Sequence, residues 1–319
     1  MFIKKSMLLP LTMALSINLS RNAATAFGIS RTITARPTHA SSHLICRSMA
    51  SESSASALEV SADGVYIVDQ MPEPLPALKN TSYLLRHGQS EGNVEGVISS
   101  ARSLATSSKH GLTPLGYEQG LNSASDLFHL IESQSQMKEG VVLSPSNKVY
   151  FYSSPFSRAK QTAEACLDGI ALEENQAKAQ ELNLHIQKDI IIEDGLMERF
   201  FGELDAQPLS TYGYVWPNDM KDPTQTSYNV ESVAAVSTRL REVIMKIEES
   251  EVHKNGNGDS VVLTSHADVL QIMQVFASGL ENVGDFSSYR FGNGEVRFMG
   301  RTTDTLPAPQ PLELPKDDA

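Results

Sequence analysis

One stretch of the sequence decides the fold, YLLRHGQSEGN at residues 83–93. It opens with three apolar, β-favouring residues after the turn-prone segment 79–82, which predicts a strand. Arg86, His87 and Gly88 follow where that strand would end. Because ligands bind at the carboxyl ends of the strands in open α/β sheets, these three residues are predicted to face a ligand.

The residue types at this strand end suit phosphate chemistry. The imidazole of His87 can act as a nucleophile. The guanidinium of Arg86 is a planar fork of donors that matches phosphate oxygens. Gly88 allows the chain to turn sharply, or to approach a ligand without a side chain in the way. An isolated Arg-His-Gly tripeptide is more often an exposed strand end without a function, so the wider context decides its meaning.

The wider context resembles the signature of the histidine phosphatase superfamily, also called the phosphoglycerate mutase-like family. That signature is an apolar strand followed by Arg-His-Gly-Glu/Gln-Ser/Thr-x-x-Asn. The matching positions of this sequence are Arg86, His87, Gly88, Gln89, Ser90 and Asn93. The resemblance implies that His87 attacks phosphorus and forms a phosphohistidine, while Arg86 and Asn93 help to hold the phosphoryl group.

Two later motifs resemble further parts of the same family pattern. In SSPFSRAKQTA, residues 153–163, a strand leads into a helix, and Arg158 matches the family's second phosphate-binding arginine. A helix N-terminus carries partial positive charge and free N–H groups, so it favours an anion. After the apolar strand 260–264, His266 matches the second catalytic histidine. Ala267 stands where the family often has glycine, and its backbone N–H would still contact phosphate.

The proton donor is predicted within EDGLMERFFGELD, residues 193–205. The resemblance implies a glutamate four residues before a glycine, and Glu198 matches by its distance from Gly202. The other carboxylates there are interpreted as solvated loop charges: Glu193, Asp194 and Glu203. A carboxyl group beside a phosphate dianion should have a raised pKa, which an acid that protonates a leaving oxygen near neutral pH requires.

The order of the elements predicts the fold class. Strands and helices alternate, and the candidate site residues follow strands, which favours one α/β domain with a mainly parallel sheet. The resemblance spans roughly residues 80–300 and implies a three-layer α/β/α sandwich. One helix is predicted after the cap Thr113, and another from Glu231 onward, where apolar residues recur at three- and four-residue steps.

The composition of the chain limits the classes of binding partner that are expected. The chain has 319 residues, a net charge of −12, and two cysteines, Cys46 and Cys166, without metal-ligand spacing. An acidic protein repels nucleic-acid phosphates, so no nucleic-acid partner is expected. The expected partner is a small phosphorylated substrate or a phosphorylated site on a protein. No metal ion and no cofactor are expected, because Arg86, Arg158 and His266 supply positive charge around the phosphoryl oxygens.

The composition of the N-terminal segment predicts the cellular compartment to which the protein is delivered. Residues 1–51 contain Lys and Arg but no Asp or Glu, with an apolar run at 7–19 and a small-residue junction before Phe27. This pattern indicates a bipartite presequence, a signal peptide followed by a transit-like segment, and resembles those of algae with complex plastids. A plastid destination is predicted, with mitochondrial or secreted protein as the alternatives. The apolar run is too short to span a membrane, so none is expected in the mature form.

The rest of the chain divides into three parts. Residues 52–79 are predicted to be a linker or packed arm, 80–303 the catalytic domain, and 304–319 a disordered, acidic and proline-rich tail. Loops at 94–111 and 208–228 carry no signature, and each is either a segment that contacts substrate or a structural insert.

Three functions compete for this sequence. A complete set of site residues favours a metal-independent phosphomonoester hydrolase. A cofactor-dependent phosphoglycerate mutase would share the chemistry, but its Glu-Arg-x-Tyr-Gly-x-Leu-x-Gly element is altered here at Phe201 and Ala206. A non-catalytic binding module on the same fold would be expected to lack a core residue, and none is lacking.

Overall fold

The computed structural model describes residues 59–61, 64–104, 107–137, 147–250, 252–253 and 258–314. The predicted presequence at residues 1–51 lies outside them and stays a prediction. In the described part of the chain, no helix combines the length and apolar character needed to cross a bilayer.

The described elements are seven strands and seven α-helices, besides short 3₁₀ turns. The strands are β1 Glu59–Val60, β2 Tyr66–Ile67, β3 Thr81–Arg86, β4 Asn147–Ser153, β5 Leu184–Ile192, β6 Ser260–Ser265 and β7 Val296–Phe298. The α-helices are α1 Glu91–Glu95, α2 Pro114–Met137, α3 Ser157–Ile170, α4 Glu173–Glu181, α5 Trp216–Asp219, α6 Val233–Glu249 and α7 Ala267–Ser278.

The central sheet has five strands in the order β5-β4-β6-β3-β7. Its neighbouring pairs are parallel except for β7, which runs antiparallel to β3. The register pairs Arg86 with Ser265 and Ser153 with Thr264. The carboxyl ends of β3, β6 and β4 therefore lie side by side at one edge of the sheet, as the prediction of a mainly parallel sheet requires.

Side chains alternate along the strands between two hydrophobic cores. Leu84 packs on one side with buried residues of α6 and α7, including Leu240 and Met273. Leu85 packs on the other side with residues of α2 and α3, including Phe128. Helices thus cover both faces of the sheet, and the predicted three-layer α/β/α sandwich is confirmed.

Helix starts follow local caps. The hydroxyl of Thr113 accepts the N–H of Gly116 at 3.1 Å, so α2 begins where the sequence predicts. Helix α6 begins two residues after its predicted start at Glu231, because Ser232 is its cap. Glu231 instead forms a buried ion pair with Arg239 at 2.8 Å.

The N-terminal arm packs on the domain. Strands β1 and β2 form an antiparallel pair, and the hydroxyl of Tyr66 donates to the Glu242 carboxylate on α6 at 2.6 Å. Further along the arm, Leu75 is buried in the core on the α6 and α7 side of the sheet. The arm is therefore part of the folded unit, and its hairpin lies near the start of the segment that carries Glu198.

The C-terminal tail differs from its prediction. Disorder was expected from residue 304, but the chain is held against the domain as far as residue 314. The N–H of Gln310 donates to the Ser288 carbonyl at 2.8 Å, and Leu306 and Leu312 pack against the core. Leucines spaced between the prolines give this segment apolar surface to bury, which the acidic, proline-rich composition obscured. Residues 315–319 lie outside the described residues.

Candidate active site

Three strand ends build the site. Arg86 is the last residue of β3, and His87 follows it with its N–H donating to the Ser265 carbonyl at 3.0 Å. His266 follows β6 and caps α7. Arg158 lies in the first turn of α3, after β4. The four residues that the sequence predicted at strand ends are thus brought to one edge of the sheet.

His87 is held with one ring nitrogen free to react. Its Nδ1 atom lies 2.7 Å from the carbonyl oxygen of Gly88. A carbonyl can only accept a hydrogen bond, so Nδ1 carries the proton and Nε2 carries the lone pair. Burial, together with Arg158 and Arg86, holds the pKa of His87 well below its usual 6.5. The imidazole is therefore neutral and nucleophilic at physiological pH.

Arg158 lies beside the reactive nitrogen. Its Nε–H donates to Nε2 of His87 at 3.3 Å, and its guanidinium carbon lies 4.7 Å from the centre of the Phe156 ring. Its Nη2 atom donates to the carbonyl oxygen of Ser99 at 2.8 Å. Contacts with His87, Ser99 and Phe156 thus fix the orientation of the planar guanidinium beside the reactive nitrogen.

The buried side-chain atoms without a hydrogen-bond partner in the described part of the chain include Nε of Arg86 and Nδ1 of His266. The ring of His266 lies edge-on to that of His87, with centroids 5.2 Å apart. Its Nε2 atom is 2.9 Å from the hydroxyl of Ser154, which can donate its proton there and leave the proton of the imidazole on Nδ1. Unsatisfied buried donors beside two arginines indicate a site shaped for an anion.

Glu198 faces the same space. One oxygen of its carboxylate lies 3.6 Å from Nη2 of Arg158 and 3.6 Å from Nδ1 of His266. Burial raises the pKa of Glu198 to about 7, although Arg158 opposes the shift. A bound phosphate was the expected cause of the raised pKa, but burial, together with the nearby Asp268 carboxylate, raises it here without one.

The other three carboxylates of this segment do not contact the site residues. Glu193 pairs with Lys246 at 2.6 Å and accepts the N–H of Gly195. Glu203 accepts a hydrogen bond from Asn229 at 2.8 Å on the surface, and Asp194 is exposed. Of the four carboxylates considered, only Glu198 contacts the other site residues.

The structure also places Asn93, Ala267 and Gly88. The amide oxygen of Asn93 accepts from the N–H of Ser90 at 3.0 Å and from Asn293 at 3.3 Å, which leaves its Nδ2 as the group that could donate to phosphate. Ala267 is the first residue of α7, where a backbone N–H has no partner within the helix. Gly88 serves packing against α2, because a Cβ atom there would collide with the Gly116 carbonyl.

The loop at 94–111 supplies a support for Arg158 that sequence reasoning missed. Besides its carbonyl, Ser99 places its hydroxyl 2.7 Å from Nδ1 of the buried His110. On the other side of that ring, Nε2 lies 3.2 Å from the carboxylate of Glu95. These residues carry no spacing pattern that could have identified them, because the chain folds back on itself between them.

The loop at 208–228 packs beneath the site. Tyr212 stacks on Trp216 with ring centroids 4.5 Å apart, and burial with nearby Asp268 and Glu198 raises its pKa well above 10. Asp268 accepts from the indole N–H of Trp216 at 3.1 Å. One side of this loop therefore packs into the protein, and the other side borders the candidate site residues.

Arg199, next to Glu198, is fully buried and holds the loop at 208–228 in place. Its guanidinium binds both oxygens of Asp219 at 2.7 and 2.9 Å, and lies 3.5 Å from Asp268. Its Nε donates to the carbonyl of Glu231 at 2.7 Å. The network joins the segment that carries Glu198 to the helix that follows His266.

A metal ion is the main chemical alternative for these side chains. His87, Glu198 and His266 offer ligand atoms within 4.8 Å of one another. However, the cationic guanidinium of Arg158 lies 3.3 Å from the Nε2 atom of His87 that would bind a metal ion. A second cation at that position would be repelled by the guanidinium, so the arrangement fits an anion better than a metal.

The comparisons with known proteins agree with the fold. The family model described as histidine phosphatase superfamily (branch 1) matches residues 82–305. The search among curated proteins returned no match.

Solved structures with similar folds were also found. A putative alpha-ribazole-5'-phosphate phosphatase from Escherichia coli K-12 is 22 % identical, with a TM-score of 0.44, covering 68 % of this chain and 88 % of that chain. A mycobacterial glucosyl-3-phosphoglycerate phosphatase complexed with VO3 is 16 % identical, with a TM-score of 0.47, covering 68 % and 89 % respectively. At such values these structures say nothing about the substrate of this chain, and the family model alone carries the classification.

Proposed function

This chain belongs to the histidine phosphatase superfamily, and on that premise we propose that it is a metal-independent phosphomonoester hydrolase that acts through a phosphohistidine on His87. The observation that carries the proposal is the state of the His87 ring. Its proton is held on Nδ1 by the Gly88 carbonyl at 2.7 Å, and its unprotonated Nε2 lies 3.3 Å from Arg158, the residue that would bind the phosphoryl group.

In the first step, Nε2 of His87 attacks phosphorus in line with the leaving oxygen. The N–P bond forms as the P–O bond to the alcohol breaks, and protonated Glu198 gives its proton to the leaving oxygen. A carboxyl group with a pKa near 7 is protonated often enough at neutral pH for this role. The products of the step are the free alcohol, a phosphohistidine and an ionised Glu198.

In the second step, water attacks the phosphohistidine. The carboxylate of Glu198 takes a proton from the water as its oxygen bonds to phosphorus, and the N–P bond breaks. Inorganic phosphate leaves, and His87 and Glu198 return to their starting protonation states. The same residue acts as acid and then as base, so no other proton carrier is required.

The positive charge of Arg86 and Arg158 and the N–H donors of the site stabilise the phosphoryl group in both steps. His266 donates without the positive charge expected from the sequence, because burial and Arg158 hold its pKa well below 6.5. Arg86, Arg158 and His266 surround the position where its oxygens would lie, and two of them offer buried donors without partners. Preorganised donors of this kind are commonly the largest single contribution to catalysis of phosphoryl transfer.

A mutase is the second candidate. The backbone at Ala206 has a φ of 61°, the left-handed conformation favoured by the glycine of the mutase element. Phe201, however, replaces the tyrosine of that element and is fully buried. The local backbone is thus compatible with the mutase pattern, but the side chain lacks its hydroxyl, and hydrolase remains the stronger proposal.

The test is hydrolysis of p-nitrophenyl phosphate by the full-length protein in the presence of EDTA. We expect turnover in the wild type, none above background in His87→Ala, and an acid-labile phosphoryl label on His87 after rapid quenching. Activity that requires added metal, or that survives in His87→Ala, would overturn the proposal. Phosphoryl exchange between 3-phosphoglycerate and its isomer, dependent on 2,3-bisphosphoglycerate, would favour the mutase.

We also propose that the presequence delivers the protein to a plastid. The support is the acid-free composition of residues 1–51 and the small-residue junction before Phe27. A fluorescent fusion of residues 1–60 should accumulate in the plastid of an alga that has a complex plastid. Retention of that fusion in the cytosol, in mitochondria or in the medium would reject it.

A further inference from the structure

His110 is a buried histidine that no step of the proposed mechanism uses. Only 5 % of the residue is exposed, and its ring packs so closely on α1 that a Cβ atom at Gly92 would lie 3.2 Å from its Cγ atom. The backbone at His110 has a φ of 57°, a left-handed conformation that is uncommon for a residue with a side chain. Such conformations persist only where the surrounding structure fixes them, and they cluster at functional sites.

The imidazole of His110 joins two polar groups across its ring. Its Nδ1 atom lies 2.7 Å from the hydroxyl oxygen of Ser99, and its Nε2 atom lies 3.2 Å from a carboxylate oxygen of Glu95. An ionised carboxylate can only accept a hydrogen bond, so Nε2 carries the proton and donates it to Glu95. The opposite tautomer would set the lone pair of Nε2 against that carboxylate. Nδ1 is therefore an acceptor, and the hydroxyl group of Ser99 donates to it.

Ser99 continues this connection to the candidate site. The Nη1 atom of Arg158 donates to the hydroxyl oxygen of Ser99 at 3.4 Å, and Nη2 donates to the Ser99 carbonyl oxygen at 2.8 Å. Because the hydroxyl proton is directed at His110, the lone pairs of the same oxygen face Arg158 and can accept from it. The tautomer of His110 thus decides whether the hydroxyl group of Ser99 can hold the guanidinium.

All the donors of this chain point the same way. The hydrogen bonds run from Arg158 to the hydroxyl group of Ser99, from there to His110, and from His110 to the carboxylate of Glu95. Hydrogen bonds in a line polarise one another, so a chain that begins at a cation and ends at an anion is stronger than its separate links. The chain holds one edge of the guanidinium while its Nε–H group lies 3.3 Å from Nε2 of His87.

We propose that His110 is a positioning residue of the phosphoryl-transfer site, which holds Arg158 against the reactive nitrogen of His87 through the hydroxyl group of Ser99. The inference rests on the proposed function, since Arg158 is the residue that would bind the phosphoryl group. Glu95 completes the chain at the surface, where 55 % of its side chain is exposed. Water screens that outer link, so the link between His110 and Ser99 carries most of the effect.

The first test measures the pKa of His87 by NMR titration of the full-length protein with ¹⁵N-labelled histidine, with the His87 signal assigned from His87→Ala. Burial is the main cause of the lowered pKa of His87, and Arg158 is the second. If His110 holds Arg158 in place, His110→Ala should raise this pKa by about 0.5 or more. Ser99→Ala should raise it similarly, because it removes the hydroxyl group and leaves only the carbonyl oxygen to bind Arg158.

Two further variants separate positioning from general damage. In His110→Asn the amide group can still accept from the hydroxyl group of Ser99, and asparagine tolerates the left-handed backbone. This variant should therefore recover most of the shift seen in His110→Ala. His129→Ala, at an exposed position on α2, is the matched control and should leave the pKa of His87 unchanged.

The second test is hydrolysis of p-nitrophenyl phosphate. We expect kcat/KM to fall by about 10-fold in both His110→Ala and Ser99→Ala, the loss of one hydrogen bond to a well-held group. The double variant should lose no more than about threefold beyond the larger single loss, because both residues act on Arg158 through one link. A double loss of about 100-fold, the product of the two single losses, would mean that the residues act separately and would overturn the inference.

The titration requires no turnover, which keeps the inference separate from the proposed function. An unchanged pKa of His87 in His110→Ala and Ser99→Ala, or equal shifts in His110→Ala and His110→Asn, would overturn the inference. If His110→Ala does not fold, Ser99→Ala decides in its place. The expected shift in a protein that hydrolyses no ester would reject the hydrolase alone, whereas hydrolysis without any shift would reject the role of His110 alone.

Discussion

The Nε atom of Arg158 lies 3.3 Å from the Nε2 atom of His87. This contact places the cation that would bind the phosphoryl group against the nitrogen that would attack it. A proton on Nε2 is disfavoured because the site is buried and because two arginines lie nearby. The charge that would attract a phosphorylated substrate therefore also keeps His87 unprotonated.

Replacement of Arg158 by lysine should strongly lower the catalytic activity. An ammonium group is a compact charge on a flexible stem and cannot maintain the contacts to His87, Ser99 and Phe156 together. We expect kcat/KM for p-nitrophenyl phosphate to fall by about 100- to 1,000-fold. Lys160→Gln, two residues along the same helix and 52 % exposed, is the control and should stay within about twofold. A loss below about fivefold in Arg158→Lys would contradict this role.

The pH dependence should follow Glu198. The protonated form is the active one in the first step, so activity on an alkyl phosphate should fall as the pH rises through about 7. Glu198→Gln should remove this dependence and lower kcat/KM, which reports only the first step, by about 10²- to 10⁴-fold. The loss should be much smaller for p-nitrophenyl phosphate, because p-nitrophenol leaves without needing a proton. Glu203→Gln, at an exposed carboxylate nearby, serves as the control, and equal losses on both substrates would rule out the acid role.

The buried carboxylate of Glu198 should also lower the free energy of unfolding at high pH. Its pKa in the folded state is about 7, above the value of 4.5 expected in the unfolded chain, so the folded form binds the extra proton between these values. Its contribution is neutral below about pH 4.5, becomes increasingly unfavourable as the pH rises from 4.5 to 7, and keeps its full unfavourable value above 7. Glu198→Gln should raise the free energy of unfolding by up to about 3 kcal/mol at pH 8 and little at pH 4. Urea unfolding at both pH values measures this, and equal effects at both would disprove it.

Arg199 should be essential for stability. It is fully buried between Asp219 and Asp268, so Arg199→Met leaves two buried carboxylates without their cation. We expect a loss of about 3–5 kcal/mol in the free energy of unfolding at pH 7. The added Asp219→Asn change should restore part of it, because it removes one of the unpaired charges. Lys188→Met, at an exposed site, should change stability by less than about 0.5 kcal/mol, and a similar small change in Arg199→Met would refute the argument.

The core of the site could be predicted from the sequence because each part is local. Arg86 and His87 end one apolar strand, His266 follows another, and Arg158 lies in the first turn of a helix that a strand leads into. Parallel strands bring their carboxyl ends to one edge, so these separate motifs had to meet. Glu198 could be chosen among its rivals only by resemblance to the family, and its contacts with Arg158 and His266 agree with that choice.

The sequence by itself determined the order of the elements, since periodicity and caps act within a few residues, and its resemblance to the family pattern identified the groups around His87. Only the tertiary structure decided the protonation of those groups, the support of Arg158 by Ser99 and His110, and the packing of the tail to residue 314. Burial and contacts between distant segments set these properties, and no local pattern encodes them.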